Sequence, residues 1–466
     1  MIREVTIRQF NAFCYVRDPF LGIISSEVAW FEAFDKKLLG TIIKDFTDQD
    51  YGFVVLGRDA RKVFRAIDLP DRFYATKEEA IEKLKVKLES YKDDNNELYP
   101  QGDEKHITNE ILIPKVSNEK LHPYFKLLIE KKSYEAARNI IKEIAYSYVD
   151  VDGNYIKDFQ TTGFDARLWE LYLYIFLHSS GFTIDNNFQA PDYVLTYFGC
   201  PCSIEAVTVN PSKDFDEPPP KNPRESYLLS RDYMPIKFGS SLFSKLQKKY
   251  WEKEHVKGKP FIIAIHDFHM AASMDNLGSM TWSRNALIDY LYGIRMKSSI
   301  DKDGKIVMEV KQTESGVEPI TEEIISHTWK NKTIPSNFFG LPDAENVSAV
   351  LFTNNATLTT FNRMGKLAGL GGSKIRMLRQ SIVYDPDPFA TEPIIKVSDV
   401  DSPDYEESWS DGLVMYHNPD AKFPLDRELF SNISHIYFDK ADKKVFGYTQ
   451  PYDVLSSFTM VLTTTD

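Results

Sequence analysis

Asp165-Ala-Arg-Leu-Trp-Glu170-Leu-Tyr-Leu-Tyr-Ile-Phe-Leu177 is apolar after Arg167 except for one carboxylate, Glu170. Apolar residues on nearly every face predict a helix buried on all sides. An ionised carboxylate in such a place needs a cation, a donor network or a metal. Arg167, one turn earlier on the same helix, is the plainest structural partner. Two further acids follow closely, in Pro191-Asp192-Tyr193 and in Ser203-Ile-Glu205-Ala-Val-Thr-Val209.

Outward from the helix, the chain alternates strand-like runs with turn signals. Gly181 ends the helix, and Phe182-Thr-Ile184, Tyr193-Val-Leu-Thr-Tyr-Phe198 and Ser203–Val209 read as three short strands. A turn around Gly199-Cys-Pro201 folds the second strand back beside the third, which brings Asp192 and Glu205 to neighbouring positions. Side chains alternate across a strand, so Glu205, Val207 and Val209 share one face while Ile204, Ala206 and Thr208 share the other. An acidic, proline-rich loop at 214–220 leads to a long helix from Ser240 to about Val256. Pro260-Phe-Ile-Ile-Ala-Ile-His266 then reads as a buried strand.

A glutamate on the first helix, Pro-Asp at the head of the second strand and Glu205 in the third resemble the PD-(D/E)xK nuclease superfamily. The run from Phe159 to Glu170 is similar to one bacterial branch of it. The resemblance spans about residues 160–270. It implies an α/β (α+β) fold with a restriction-endonuclease-like αβββαβ core, and metal-dependent hydrolysis of phosphodiester bonds. By that resemblance Asp192, Glu205 and the carbonyl of Ala206 hold Mg²⁺ or Mn²⁺, with Glu170 on a second ion or a water. Such an ion polarises the phosphate and activates water for in-line attack.

One position departs from the pattern. Two residues after Glu205, where the superfamily carries lysine, stands Val207. Without a relocated cation the site lacks the group that stabilises developing negative charge. The following helix supplies two candidates, Lys245 in its middle and Lys237 just before its start. Gln247 and Tyr250 on the same helix are faintly similar to a Gln/Tyr pair of exonuclease-like members, with a different spacing.

Composition bounds the rest. The chain has 466 residues, 42% of them hydrophobic and 13% aromatic, which calls for more than one core. The expected division is an N-terminal α+β domain at 1–95, a polar linker at 96–117, a helical connector at 118–158, the nuclease-like core at 159–300 and a C-terminal extension at 301–466. In the first of these, Thr76 caps a helix from Lys77 to Tyr91. Asn346–Thr353 reads as a buried strand that extends the core sheet, and Asp303-Gly304 as a hairpin turn.

Three cysteines, Cys14, Cys200 and Cys202, do not have the spacing of a zinc ribbon or a redox pair. No signal-peptide pattern opens the chain and no apolar run nears about eighteen residues, so a cytoplasmic protein without membrane contact is expected. A formal net charge of −12 excludes a chain that is basic all over, while leaving room for a basic groove. Lys248 and Lys249, and the run with Arg363, Lys366, Lys374 and Arg376 around Gly369-Leu-Gly-Gly372, are the candidate nucleic-acid contacts. Solvated surface lysines are the alternative. Asp150-Val-Asp152-Gly-Asn154 reads as a turn rather than a calcium loop. His266 and His269 read as structural before catalytic.

The expectation is therefore a metal-dependent nuclease acting on DNA or RNA. A catalytically inactive nuclease fold that binds nucleic acid or protein is the alternative, with Val207 its best support.

Overall fold

Alternating residues in the first seventy positions, and a capped amphipathic helix after them, form the sheet and helix of the first of two units. The computed structural model describes residues 1–104, 110–212, 217–218, 220–269, 280–302, 305–314, 316–390 and 392–463. Unit 1 comprises Met1–Phe164, Leu177–Thr183 and Phe361–Ile375; unit 2 comprises Asp165–Phe176, Ile184–Thr360 and Arg376–Asp466.

In unit 1, β1 (Ile2–Val5), β2 (Ser25–Ala33), β3 (Leu38–Asp45), β4 (Tyr51–Arg58) and β5 (Phe64–Asp68) form an antiparallel sheet in sequence order. Helix α1 (Lys77–Glu89) is capped as expected, Thr76 accepting from the amide of Glu79. Its Ala80, Leu84 and Leu88 share a core with Phe31, Ile42 and Val55. The stretch expected as a linker is tied to this unit. Tyr99 packs over Gly57 and its amide donates to the Arg58 carbonyl at 2.6 Å, so an aromatic inside a polar run anchors it. Helices α2 (Pro123–Glu130) and α3 (Glu135–Ser147) follow. Asp150 accepts from the amides of Gly153 and Tyr155, the turn read from the sequence.

Unit 2 is built on a mixed eight-stranded sheet. The helix that decides the fold is α4 (Phe164–Ser179), followed by β6 (Thr183–Ile184), β7 (Tyr193–Tyr197), β8 (Cys200–Val209), α5 (Met234–Leu246), β9 (Phe261–Asp267) and α6 (Met280–Tyr292). Further strands are β10 (Ala349–Thr353), β11 (Ile375–Val383), β12 (Ile394–Asp399), β13 (Val414–His417), β14 (Ser434–Asp439), β15 (Lys444–Tyr448) and β16 (Val454–Thr463). The sheet order is β15-β14-β13-β10-β9-β8-β7-β6, and β12-β11-β16 form a separate small sheet.

Strands β7 and β8 pair antiparallel through a two-residue turn at Phe198-Gly199, both with positive φ, beginning one residue earlier than the sequence suggested. Strands β8 and β9 pair parallel, as the helical crossover through α5 requires. All seven residues of β9 are buried, the mark of a central strand covered on both faces. Phe238, Leu242 and Leu246 of α5 pack with Val209, Ile263 and Ile265 and with Leu287 of α6. Trp169 of α4 donates its indole N–H to the Ala264 carbonyl at 3.2 Å. β10 pairs parallel with β9 and extends the sheet, as read from its sequence. The Asp303-Gly304 pair and most of the acidic loop at 214–220 lie outside the described residues. Among the described residues no helix is long and apolar enough to cross a membrane.

Candidate active site

The hairpin register creates the site. Tyr193 stands opposite Ile204, so the next residue outward on each strand sets Asp192 beside Glu205. Asp192 Oδ2 accepts from the Ala206 amide at 2.7 Å, and the Asp192 amide donates to Glu205 Oε2 at 3.3 Å. Continuing the register one step further brings Pro191, which has no N–H, opposite Ala206. Amide and carbonyl of one strand residue point to the same edge, so the Ala206 carbonyl faces the side on which Asp192 sits.

Glu205 is 4% exposed, and on its face of β8 Val209 lies in the core under α5 with Val207 packed against it. The helix runs opposite to the strand. Lys245 Nζ lies 2.5 Å from Glu205 Oε1, and Ser241 Oγ, one turn earlier, donates to the Thr208 carbonyl at 3.3 Å. Lys237, two turns before Lys245, donates to the Asn210 carbonyl and to Ser212 Oγ, both at 2.9 Å. Eight residues of helix separate the two amines by about 12 Å along the axis. Lys245 is thus the amine paired with Glu205, in the neighbourhood that Val207 cannot serve. The Tyr250 hydroxyl lies near Glu205, and burial, then the Glu205 charge, raises its affinity for its proton.

Asp192 is exposed at the rim, while its carboxyl is turned inward to the Ala206 amide. Withdrawal of that carboxyl from water pushes its pKa well above the usual carboxylate range, and the charges of Glu205 and Glu170 add to this. Lys245 and the Ala206 amide pull the other way.

Glu170 is 8% exposed, and its Oε2 is held 2.8 Å from Arg167 Nη1, the helical partner available one turn earlier. Its carbonyl accepts from the Tyr193 hydroxyl at 2.6 Å, which ties α4 to the strand next to Asp192. Asp192 and Lys245 thus each meet Glu205, and Lys245 and Glu170 both act on Asp192 by charge. Among the described residues no three His, Cys, Asp or Glu side chains form a metal-holding group. At the start of α4, Asp165 Oδ1 meets no donor among the described residues, and burial alone pushes this carboxyl to about 6.

Sequence reasoning passed over the support behind Asp192. His255 Nε2 lies 2.9 Å from the Ala190 carbonyl, and the imidazole stacks on Phe188 at 3.8 Å between centroids. No pattern links these positions; only the fold of the 185–192 loop over the segment after α5 does.

Of the candidate nucleic-acid contacts, Lys248 and Lys374 are exposed, and Lys249 pairs with Asp343 at 2.9 Å. Arg363 is a correction. It is 0% exposed, because the helix Leu358–Leu367 turns it inward, so it meets no phosphate at the surface. Lys366 Nζ donates to the Gly372 and Ile375 carbonyls and closes its own glycine-rich loop. Arg376 pairs with Asp399 at 2.6 Å.

His266 Nε2 accepts from the Ala356 amide, and burial pushes this imidazole down to about 3. His269 Nδ1 lies 2.5 Å from Asp267 Oδ1. His266 and Asp267 sit three and four residues beyond Ile263, the partner of Glu205 on β9, or about 10–13 Å along the strand. They belong to the packing at that strand's end. Comparison of the chain with protein-family models, with curated proteins and with solved structures finds no match.

Proposed function

We propose that unit 2 hydrolyses phosphodiester bonds of nucleic acid, most simply DNA, through a PD-(D/E)xK-like core that uses Mg²⁺ or Mn²⁺. The observation that carries the reading is that Asp192 and Lys245 both contact Glu205 at the open end of a β-hairpin. The order α4, β6, β7, β8, α5, β9, with β8 and β9 parallel, supports it as well.

The residues suit a hard divalent ion. Mg²⁺ takes oxygen ligands and commonly binds through one or two carboxylates, the remaining positions going to waters and substrate phosphate, so a three-acid cage is not required. Burial raises the pKa of Asp192 first, and the charges of Glu205 and Glu170 add to it beyond what Lys245 offsets; a cation at the carboxyl would relieve both. Asp192 and Glu205 would hold the ion, with the Ala206 carbonyl on the same edge. When bound, it supplies positive charge to the scissile phosphate and lowers the pKa of water.

The chain's own groups do the rest. Lys245 brings the missing cation to the carboxylates and stabilises charge that develops on the phosphate oxygens. Tyr250 brings its hydroxyl near the Glu205 carboxylate. The Arg167 to Glu170 pair holds the fourth charge at the rear of the site, where Glu170 makes the region favourable to cations.

Incubating the chain with linear and circular DNA, and with RNA, in Mg²⁺ or EDTA tests the proposal. Metal-dependent cleavage that disappears in Asp192→Ala and Glu205→Ala is the expected result; cleavage unchanged in both variants removes the site. A binding module without catalysis is the second reading, favoured by Lys245 already neutralising Glu205. It requires salt-sensitive binding with no product.

A further inference from the structure

A cavity of about 750 Å³ in unit 2 lies away from the carboxylates just described, against the small sheet of β12, β11 and β16. Arg379 of β11 forms part of its wall and is 3% exposed. One end of its guanidinium is held: Nη1 lies 3.2 Å from the Tyr405 hydroxyl, 3.3 Å from Glu407 Oε1 and 3.9 Å from Asp411 Oδ2. The other edge is not. Nε and Nη2, two parallel donors, are shielded from water and meet no acceptor among the described residues. A protein that buries charged donors without acceptors forgoes stability unless something else supplies them.

A second feature stands in the same wall. Tyr452 is 54% exposed and holds a left-handed backbone, φ 56°, which costs energy for a residue with a side chain. It lines the cavity and brings an aromatic ring to it.

The chemistry of the wall selects the occupant. The side-on edge of an arginine matches two adjacent acceptors, as offered by phosphate, carboxylate or the O6 and N7 of guanine. Glu407 and Asp411 already balance the Arg379 charge, and Asp404 and Glu406 add negative charge nearby. An anion would meet that excess of acids, whereas an uncharged ring edge does not. Adenine pairs an acceptor with a donor at the corresponding positions, and cytosine, whose N3 and O2 also match two donors, has no adjacent N–H pair to offer an acid of the wall, so guanine fits both.

We propose that this cavity binds a guanine base, Arg379 pivoting on its Nη1 contacts to donate from Nε and Nη2 to N7 and O6, an acid of the wall accepting from N1–H and N2–H, and Tyr452 stacking on the ring. The proposal deepens the nucleic-acid reading of unit 2 by giving it a base preference, and its test is independent of cleavage.

Titration calorimetry of the full chain, without added metal, compares guanosine, GMP, adenosine and inorganic phosphate. Guanosine is expected to bind at least tenfold more tightly than adenosine and as tightly as GMP. Tyr452→Ala, an exposed position that does not threaten folding, is expected to weaken guanosine at least fivefold. Arg379→Lys, which keeps the charge and loses the two-donor edge, brings guanosine to the level of adenosine. Equal affinity for both nucleosides, full affinity in Tyr452→Ala, or displacement of guanosine by phosphate overturns the proposal.

A thymidine oligonucleotide with one guanine, compared with one that has none, identifies the source: tighter binding of the first assigns the base to a strand. Guanosine selectivity without that difference overturns the link to a strand substrate. Cleavage without guanine binding removes the cavity and leaves the nuclease; guanine binding without cleavage does the reverse.

Discussion

Lys245 Nζ stands 2.5 Å from Glu205 Oε1, on a helix that Ser241 pins to the same strand one turn earlier. A cation therefore reaches Glu205 from across the helix–sheet interface and not from its own strand.

Lys245→Met leaves Glu205 without its nearest cation beside Asp192. Because the lysine keeps some solvent access, a loss of about 1–3 kcal/mol of unfolding free energy is expected, below the roughly 3–5 kcal/mol of a fully buried pair. Urea denaturation measures it. If the proposed chemistry holds, kcat falls about 10²–10³-fold; a variant of unchanged stability and activity removes the assigned role.

Divalent metal is expected to raise the melting temperature of the wild-type chain and not that of an Asp192→Ala/Glu205→Ala double variant. At a hundred times its dissociation constant the ion stabilises by about 2.7 kcal/mol. Calorimetric scans with Mg²⁺, Mn²⁺ and EDTA decide, with equal shifts in both proteins counting against the site.

Asp165 gives a pH prediction. Its folded pKa of about 6 lies above the unfolded value of about 3.9. The group therefore favours the folded state fully below the unfolded value, and that contribution is lost as pH rises through 6. Asp165→Asn should match the wild type near pH 3 and exceed it by about 2–3 kcal/mol at pH 8. Parallel denaturant titrations at the two pH values suffice; a pH-independent difference contradicts it.

His255→Ala removes the ring that holds the Ala190 carbonyl and stacks on Phe188. Groups that orient metal ligands typically account for 10–100-fold in metal affinity. Mg²⁺ affinity from titration is expected to fall in that range with overall folding retained; undiminished affinity shows that the loop positions Asp192 without this ring.

Much of the site was legible in the sequence because it depends on local rules. Strand alternation put Glu205 with Val207 and Val209, and a turn around Gly199-Cys-Pro201 implied that Asp192 returns to Glu205. Helical spacing also offered Arg167 to Glu170, and that pair is present. Choosing between Lys245 and Lys237 required the direction in which α5 crosses β8, which no local pattern carries. Arg363 was misread because charge density says surface while the helix buries it, and burial of arginine is decided by distant packing. The support from His255 joins positions 65 residues apart, through a carbonyl rather than a side chain. Tyr99 anchoring a polar stretch is a similar case, since one aromatic outweighs the composition around it.

The division of the chain has a kinetic consequence. Unit 1 includes Phe361–Ile375, and Ile184–Thr360 of unit 2 lies between that segment and the rest. A ribosome must therefore synthesise most of unit 2 before the last piece of unit 1 exists. Unit 1, whose sheet ends by Asp68, still waits for its last segment while most of unit 2 is made, and the usual order in which the earlier unit folds first cannot finish there. Nor does any single cut in the gene release either unit whole.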